Sequence, residues 1–427
     1  MCIRDRGKTQ LAAEYCHQYQ TEYVGGIYWL DAALDLDGQL IELCDRSKWL
    51  HPASKHAEKL SVARQRLLSH ADSLLVFDNV EDIETIRPYF PDSSGNSRVL
   101  ALSRLEVPGW SFVRLDPLST RDSLLLLEAE SGRTVATQVE QDAANAIAKQ
   151  LDGLPLALEL VGAYLKHRPA ATWAQCAADL KSRGMKAGSL NWKGFDEASL
   201  TKHGADLHAA LSLDEVLFTD NPLMRSVLDL LAWAGAASIG ESLLSELLAK
   251  PEPGELMEAL ALSEQLRILS VETDANGHQR FRMHRLVQQV RRQDVHKPNG
   301  PELAAQVQRL GDWFVARRED FADLPAFEAE LEHLRTYQGY VDEEGLWEAA
   351  ARLRWLEAYP PFHRGQYSLS HAFAKAARDV YARNVLNVPL LNADLLGALG
   401  STYSALGQPQ EALKLEQQAL ALSLIHI

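Results

Sequence analysis

The sequence predicts a multidomain α/β-plus-α protein: a parallel α/β domain, a helical domain, a winged-helix domain and an α-helical array. Three observations carry this. Short apolar runs alternate with helical stretches in the first 120 residues, the pattern of a parallel sheet with crossover helices. After Pro117 the strand character fades and amphipathic helices take over. A single polar-centred hairpin then interrupts the helices near residue 275. The length of 427 residues leaves room for about three domains.

The elements follow in order. Residues 7–19 (GKTQLAAEYCHQY) are good helix formers opening directly on a glycine. Residues 26–30 (GIYWL) read as a short buried strand and 37–50 as a helix. Residues 73–77 (SLLVF) form a continuous apolar run ending at Asp78, as expected of a strand covered on both faces. Residues 98–102 (RVLAL) repeat that signature before Ser103 and Arg104. Helices are expected over 143–165 and 173–181, with Gly153 closing one helix and Pro155 opening the next. Residues 221–248 supply two more. Residues 271–283 (VETDANGHQRFRM) place Asp-Ala-Asn-Gly between β-prone flanks, a hairpin or wing, with helices at 256–266 and 284–292 on either side. Beyond residue 301 everything reads as helical.

Composition narrows the function classes. Lys and Arg total 43 against 58 Asp and Glu, a formal charge of −15. That disfavours DNA as the main partner, because no cationic field attracts a phosphate backbone. Residues 301–350 hold twelve acidic residues against four Arg and no Lys, read as a solvated acidic surface. No apolar run reaches the roughly 20 residues of a membrane helix. The four cysteines form neither a disulfide framework nor a zinc pattern and fit a reducing, cytoplasmic setting. The two ends stand apart. Codons can be written for LSLIHI (422–427) whose reverse complement encodes Met-Cys-Ile-Arg-Asp, the start of segment 1–6. Both are therefore expected to derive from one adapter-like DNA sequence read in opposite directions, leaving the gene fragment open at both ends.

Gly7-Lys8-Thr9 is the back half of a phosphate loop, G-x-x-x-x-G-K-[ST]. Glycine lets backbone approach oxygen atoms, and helix N-terminal amides face the anion. Lysine neutralises the β- and γ-phosphates, and the hydroxyl holds Mg²⁺. Such a triplet is common by chance, and Asp78 alone reads equally as a strand-end turn residue. Together and in this order they point to a nucleotide site, with Asp78 orienting magnesium water. The leading half of the loop and its strand are missing from the sequence.

The succession Gly7-Lys8-Thr9-Gln10-Leu11-Ala12, Tyr28-Trp29, LLVFDN (74–79), Leu102-Ser103-Arg104, Gly153-Leu154-Pro155-Leu156-Ala157 and Met283-His284-Arg285 resembles the NB-ARC branch of the signal-transducing STAND ATPases. The resemblance implies an ATP/ADP site with Mg²⁺. It places Gly7, Lys8, Thr9 and Gln10 on the phosphates, and Thr9 and Asp78 on the metal. Arg104 becomes the sensor of the terminal phosphate, for which a guanidinium fork is suited. Pro155 packs near base and sugar, and His284 contacts the diphosphate of the closed state. The catalytic set is then Lys8, Asp78 and Arg104. The implied domains are 7–120 (nucleotide-binding, lacking its first strand), 121–200 (helical, ARC1-like), 205–297 (winged helix, ARC2-like) and 298–365 (acidic helical linker). Two departures stand out: Asn79 replaces a second acid, leaving the base for water unassigned, and Arg285 replaces the final Asp of the last motif. A slow regulatory ATPase in the intact parent fits better than a high-turnover enzyme.

Leu399, Gly400, Tyr403, Gly407, Ala412 and Ala419 fall at offsets that resemble a tetratricopeptide repeat over 366–421, although Glu416 replaces an expected aromatic. One repeat cannot bury its face alone, so neighbours are needed. The expected function is a signalling switch. Repeats would sense a protein or ligand, control exchange of ADP for ATP, and permit homo-oligomerisation in the ATP state. The competing readings are a related transcription regulator using 207–297 on DNA, and a non-catalytic repeat scaffold.

Overall fold

A computed structural model describes residues 7–51, 56–69, 72–90, 97–103, 110–113, 115–187, 210–211, 221–274, 277–318 and 323–426. The chain is a mixed α/β protein with a small parallel sheet and many helices, and it divides into two compact units, Met1–Val216 and Leu217–Ile427.

The first unit opens with α1 (Lys8–Gln18), β1 (Ile27–Asp31), α2 (Leu36–Arg46), α3 (His56–Ser69), β2 (Leu74–Val80) and β3 (Arg98–Ser103). The strands form a parallel sheet in the order β1-β2-β3, with Ile27 opposite Leu74, Asp31 opposite Asp78, and Phe77 opposite Ala101. The central strand explains its own sequence. Side chains alternate between faces along a strand. Leu75 and Phe77 enter a core with Leu40, Cys44, Ala63 and Leu67 of α2 and α3. Leu74 and Val76 enter the opposite core with Ala12 of α1, Tyr23 and Leu102. A strand buried on both sides has little room for polar residues, and Asp78 follows the apolar run two residues before β2 ends at Val80.

Four helices follow: α4 (Thr120–Ser131), α5 (Gln138–Gln150), α6 (Pro155–His167) and α7 (Trp173–Ala187). The expected 143–165 stretch is two helices, and the first begins five residues earlier than its apolar periodicity indicates. The reason is a capping box. Thr137 accepts from the Glu140 amide, and the Glu140 carboxylate accepts from the Thr137 amide. Helix α6 is buried nearly all round, from Ala157 to Leu165, and Arg133 donates to the carbonyl oxygens of Leu165 in its last turn and of Arg168 and Ala171 just after it.

The second unit begins with α8 (Pro222–Trp233), β4 (Ile239–Gly240), α9 (Glu241–Leu247) and α10 (Pro253–Gln265). The chain continues through β5 (Leu269–Thr273), β6 (Gln279–Met283) and α11 (Arg285–Arg291). The strands pair antiparallel in the order β4-β6-β5, with Leu269 opposite Met283 and Thr273 opposite Gln279. Next come α12 (Gly300–Ala316), α13 (Leu324–Ala329), α14 (Leu331–Glu343), α15 (Trp347–Glu357) and α16 (Tyr359–His363). The last three helices are α17 (Tyr367–Arg383), α18 (Pro389–Ala405) and α19 (Pro409–His426), with Gly400 of α18 facing Ala412 and Glu416 of α19.

The acidic 301–350 stretch is not uniformly solvated. Glu330 is 2% exposed, and its carboxylate accepts from Arg280 at 2.6 Å and from the Gly240 amide at 2.9 Å. Next to it, buried His333 accepts the Gly235 amide on Nδ1 at 3.1 Å. A buried carboxylate needs such partners, because leaving it unpaired costs several kcal/mol, on the order of 3–5.

Candidate phosphate site

The site is built where the start of α1 meets the carboxyl end of β2. Gly7 precedes the helix with φ 80°, a left-handed conformation open to glycine at little cost, and its carbonyl oxygen accepts the Leu11 amide at 2.8 Å. No side chain caps this end. The first-turn residues Lys8, Thr9 and Gln10 therefore present amides that lack intrahelical acceptors by helix geometry, where the dipole favours an anion. Lys8 is half-buried, and Thr9 and Gln10 are exposed.

The Thr9 hydroxyl donates to Asp78 Oδ2 at 3.0 Å across 69 residues of sequence. Asp78 is 9% exposed, and its Oδ1 accepts the Asn79 amide at 2.8 Å. At this point β2 departs from regular pairing: the register with β3 shifts between Phe77 and Val80, and Asn79 takes φ 56°. The turned Asn79 side chain donates through Nδ2 to Asp31 Oδ1 at 3.0 Å, reaching the last residue of β1. Gln39 of α2 grips that residue from both sides, accepting the Asp31 amide at 2.8 Å and donating to the Asp31 carbonyl at 2.9 Å. Asp31, Asp78 and Asn79 thus gather at the carboxyl edge of a parallel sheet, the edge where open α/β sheets bind ligands.

Pro155 reaches the same place. Its Cγ lies 4.0 Å from the position of a Cβ built on Gly7. The segment ahead of it is held by Gly153, whose φ is 66° and whose carbonyl oxygen accepts the Leu118 amide at 2.9 Å. A side chain at Gly153 would run into the Leu118 carbonyl oxygen. Pro155 itself occupies the first turn of α6, where a missing amide hydrogen costs nothing.

Gly7, Lys8, Thr9, Gln10, Asp78 and Pro155 therefore lie in one region of the first unit. Arg104 lies outside the described residues, directly after β3. His284 lies in the second unit, exposed between β6 and α11, with its carbonyl oxygen accepting the Gln288 amide at 2.9 Å. Sequence reasoning passed over Asp31 and Gln39. An acid closing the strand that follows a phosphate-loop helix was the available signal.

The donor set suits magnesium. A hydroxyl and a carboxylate in contact are the hard oxygen ligands that this ion prefers. Among the described residues no group of three or more His, Cys, Asp or Glu side chains could hold a metal, so a cation bound by Thr9 and Asp78 would complete its shell with phosphate oxygens and water. No helix of the described residues is long and apolar enough to cross a membrane.

No family model and no curated protein matches the chain. Among solved structures, it is similar to a Signal Transduction ATPase with Numerous Domains (STAND) protein with a tetratricopeptide repeat sensor from Pyrococcus horikoshii. The identity is 12% and the TM-score 0.48, with 99% of this chain and 61% of that chain covered. The chain thus spans about three fifths of the length of that structure.

Proposed function

We propose that this protein is an ATP/ADP-dependent signalling switch, with nucleotide and Mg²⁺ held at the amino end of α1. The observation that carries the reading is the Thr9–Asp78 hydrogen bond of 3.0 Å at a helix start opened by a left-handed glycine. A threonine hydroxyl, a carboxylate and first-turn amides at one point match the needs of a metal-bound polyphosphate. Pro155 beside Gly7 adds an apolar wall from the helical segment.

Within this reading the domains are 7–120, 121–200, 205–297, 298–365 and 366–421. Lys8 neutralises the β- and γ-phosphates, and Gln10 contributes its first-turn amide. Arg104 reports on the terminal phosphate, and His284 contacts the diphosphate when the protein is closed. Repeats over 366–421 sense a protein or ligand and release the closed state, so that ATP entry permits self-association. The energetic demand is modest: inverting a 1:99 population takes about 5.5 kcal/mol of differential binding.

The test is Lys8→Ala in the full-length protein. Retention of ATP and ADP should be abolished, as measured by nucleotide content after purification and by titration. Unchanged affinity for both nucleotides would remove the site.

A further inference from the structure

We propose that His333 is a proton-operated latch on segment 235–240, closed while its imidazole is neutral and opened when it is protonated, independently of the nucleotide reading. The segment links α8 to α9 and contains β4. Three neighbouring side chains grip it. Glu332 Oε1 accepts the Ala236 amide at 2.8 Å, Glu330 Oε1 accepts the Gly240 amide at 2.9 Å, and His333 Nδ1 accepts the Gly235 amide at 3.1 Å. His333 itself is fully buried. An amide nitrogen only donates, so Nδ1 carries no proton. The single ring proton then sits on Nε2, with the Ser238 carbonyl oxygen 3.3 Å away to accept it. Partners at both nitrogens thus fix the neutral ring and its tautomer.

A second proton, taken from solvent, has only Nδ1 to bind, and there it meets the Gly235 N–H. Two donors then face each other and that hydrogen bond is lost. The same proton turns the ring into a cation whose Nε2 lies 3.6 Å from Glu330 Oε2, a buried oxygen without a hydrogen bond among the described residues. The imidazolium therefore gains a counter-charge from the turn that opens its own helix in exchange for the amide it releases. The charged groups around it are Glu330 and Glu332 from that turn and Arg280 from β6, which donates to Glu330 at 2.6 Å. Arg317, just after α12, acts on Glu330 from the far side and is itself faced by Glu246 and Asp323.

The gripped segment supports the elements beside it. Arg280 Nε donates to the Ser238 hydroxyl at 3.2 Å, and Gln288 Nε2 donates to the Gly235 carbonyl oxygen at 3.4 Å. Arg280 belongs to β6 and Gln288 to α11, so opening the segment loosens the seat of the β6–α11 turn. The open form binds one proton more than the closed form. Closure is therefore favoured above the titration of the histidine and lost as pH falls through it. A buried histidine with a purely structural role links its proton to global unfolding, whereas the latch links it to local opening of one segment.

Hydrogen exchange of the full chain tests this, read by mass spectrometry between about pH 8 and pH 5 and corrected for the intrinsic pH dependence of exchange. Protection of 235–240 should fall about tenfold for each pH unit below the titration, the slope of one linked proton, while that of β2 and α15 holds. His333→Asn keeps an acceptor near the Nδ1 position and cannot titrate, so its segment should stay protected throughout. Glu330→Gln keeps an oxygen for Gly240 and Arg280 but removes the counter-charge, so the loss should move to lower pH. Constant protection in the wild type overturns the latch, and so does a loss that spreads over the whole chain at once. A loss in His333→Asn equal to that of the wild type also overturns it and assigns the proton to a carboxylate. An unmoved loss in Glu330→Gln overturns it as well, which keeps the test decisive where His333→Asn does not fold.

Discussion

Asn79 and Gly153 show how single backbone conformations set up the site. Asn79 at φ 56° shifts the β2 register and turns its amide toward Asp31, while Gly153 at φ 66° brings the start of α6 under Leu118. Asparagine tolerates the left-handed region better than most residues, whereas Gly153 has a second constraint, the Leu118 carbonyl oxygen where a Cβ would stand. Gly153→Ala should therefore destabilise the first unit by more than the ~1–2 kcal/mol of a left-handed alanine. It should also displace Pro155 from Gly7. A urea melt superimposable on wild type would show that the constraint is not felt.

At the scale of the element, each helix is placed by its ends. Helix α5 begins at Thr137 because the capping box satisfies amides that the helix itself cannot. The Thr137 hydroxyl and the amides of Ala136 and Thr137 hold the Glu140 carboxyl below its ordinary value. A carboxylate with a depressed folded value stabilises above its unfolded pKa, and that contribution is lost as pH falls through the folded value. Thr137→Ala should cost about 1 kcal/mol, seen as a lower thermal midpoint at neutral pH. The deficit should narrow in acid. A deficit that is the same at both pH values would mean that the cap acts without the carboxylate. Strand β2 makes the complementary point, since burial on both faces explains its unbroken apolar run and the placement of its acid at the exit.

At the scale of the whole molecule, the proposed switch gives His284 a role in holding the diphosphate. If His284 contacts the diphosphate of the closed state, His284→Ala removes one hydrogen bond to a charged group. ADP affinity should then weaken about 10- to 100-fold, since such bonds contribute about 1.5–3 kcal/mol. The ADP retained through purification should drop, and the share of self-associated protein should rise on size-exclusion chromatography with light scattering. Unaltered nucleotide content and an unaltered size profile would count against the role. The second unit supplies a firm seat for the segment leading to His284, because Arg280 of β6 is locked by the buried Glu330.

The α/β beginning, the buried central strand, the glycine opening α1 and the hairpin near residue 275 were all legible in the sequence. Each is written in near neighbours: a period, a run or a turn residue. Asp78 was legible for the same reason, as the first acid after an unbroken apolar strand. The contacts that make a site were not legible. Thr9 meets Asp78 across 69 residues and Asn79 meets Asp31 across 48, distances bridged only when parallel strands take a particular register and a helix start lies over their ends. Burial of Glu330 inside an acidic stretch was hidden likewise, because its partner Arg280 lies 50 residues away. Local patterning thus determined which elements form, and tertiary packing decided which polar groups meet, since a hydrogen bond depends on proximity in space and carries no mark along the chain.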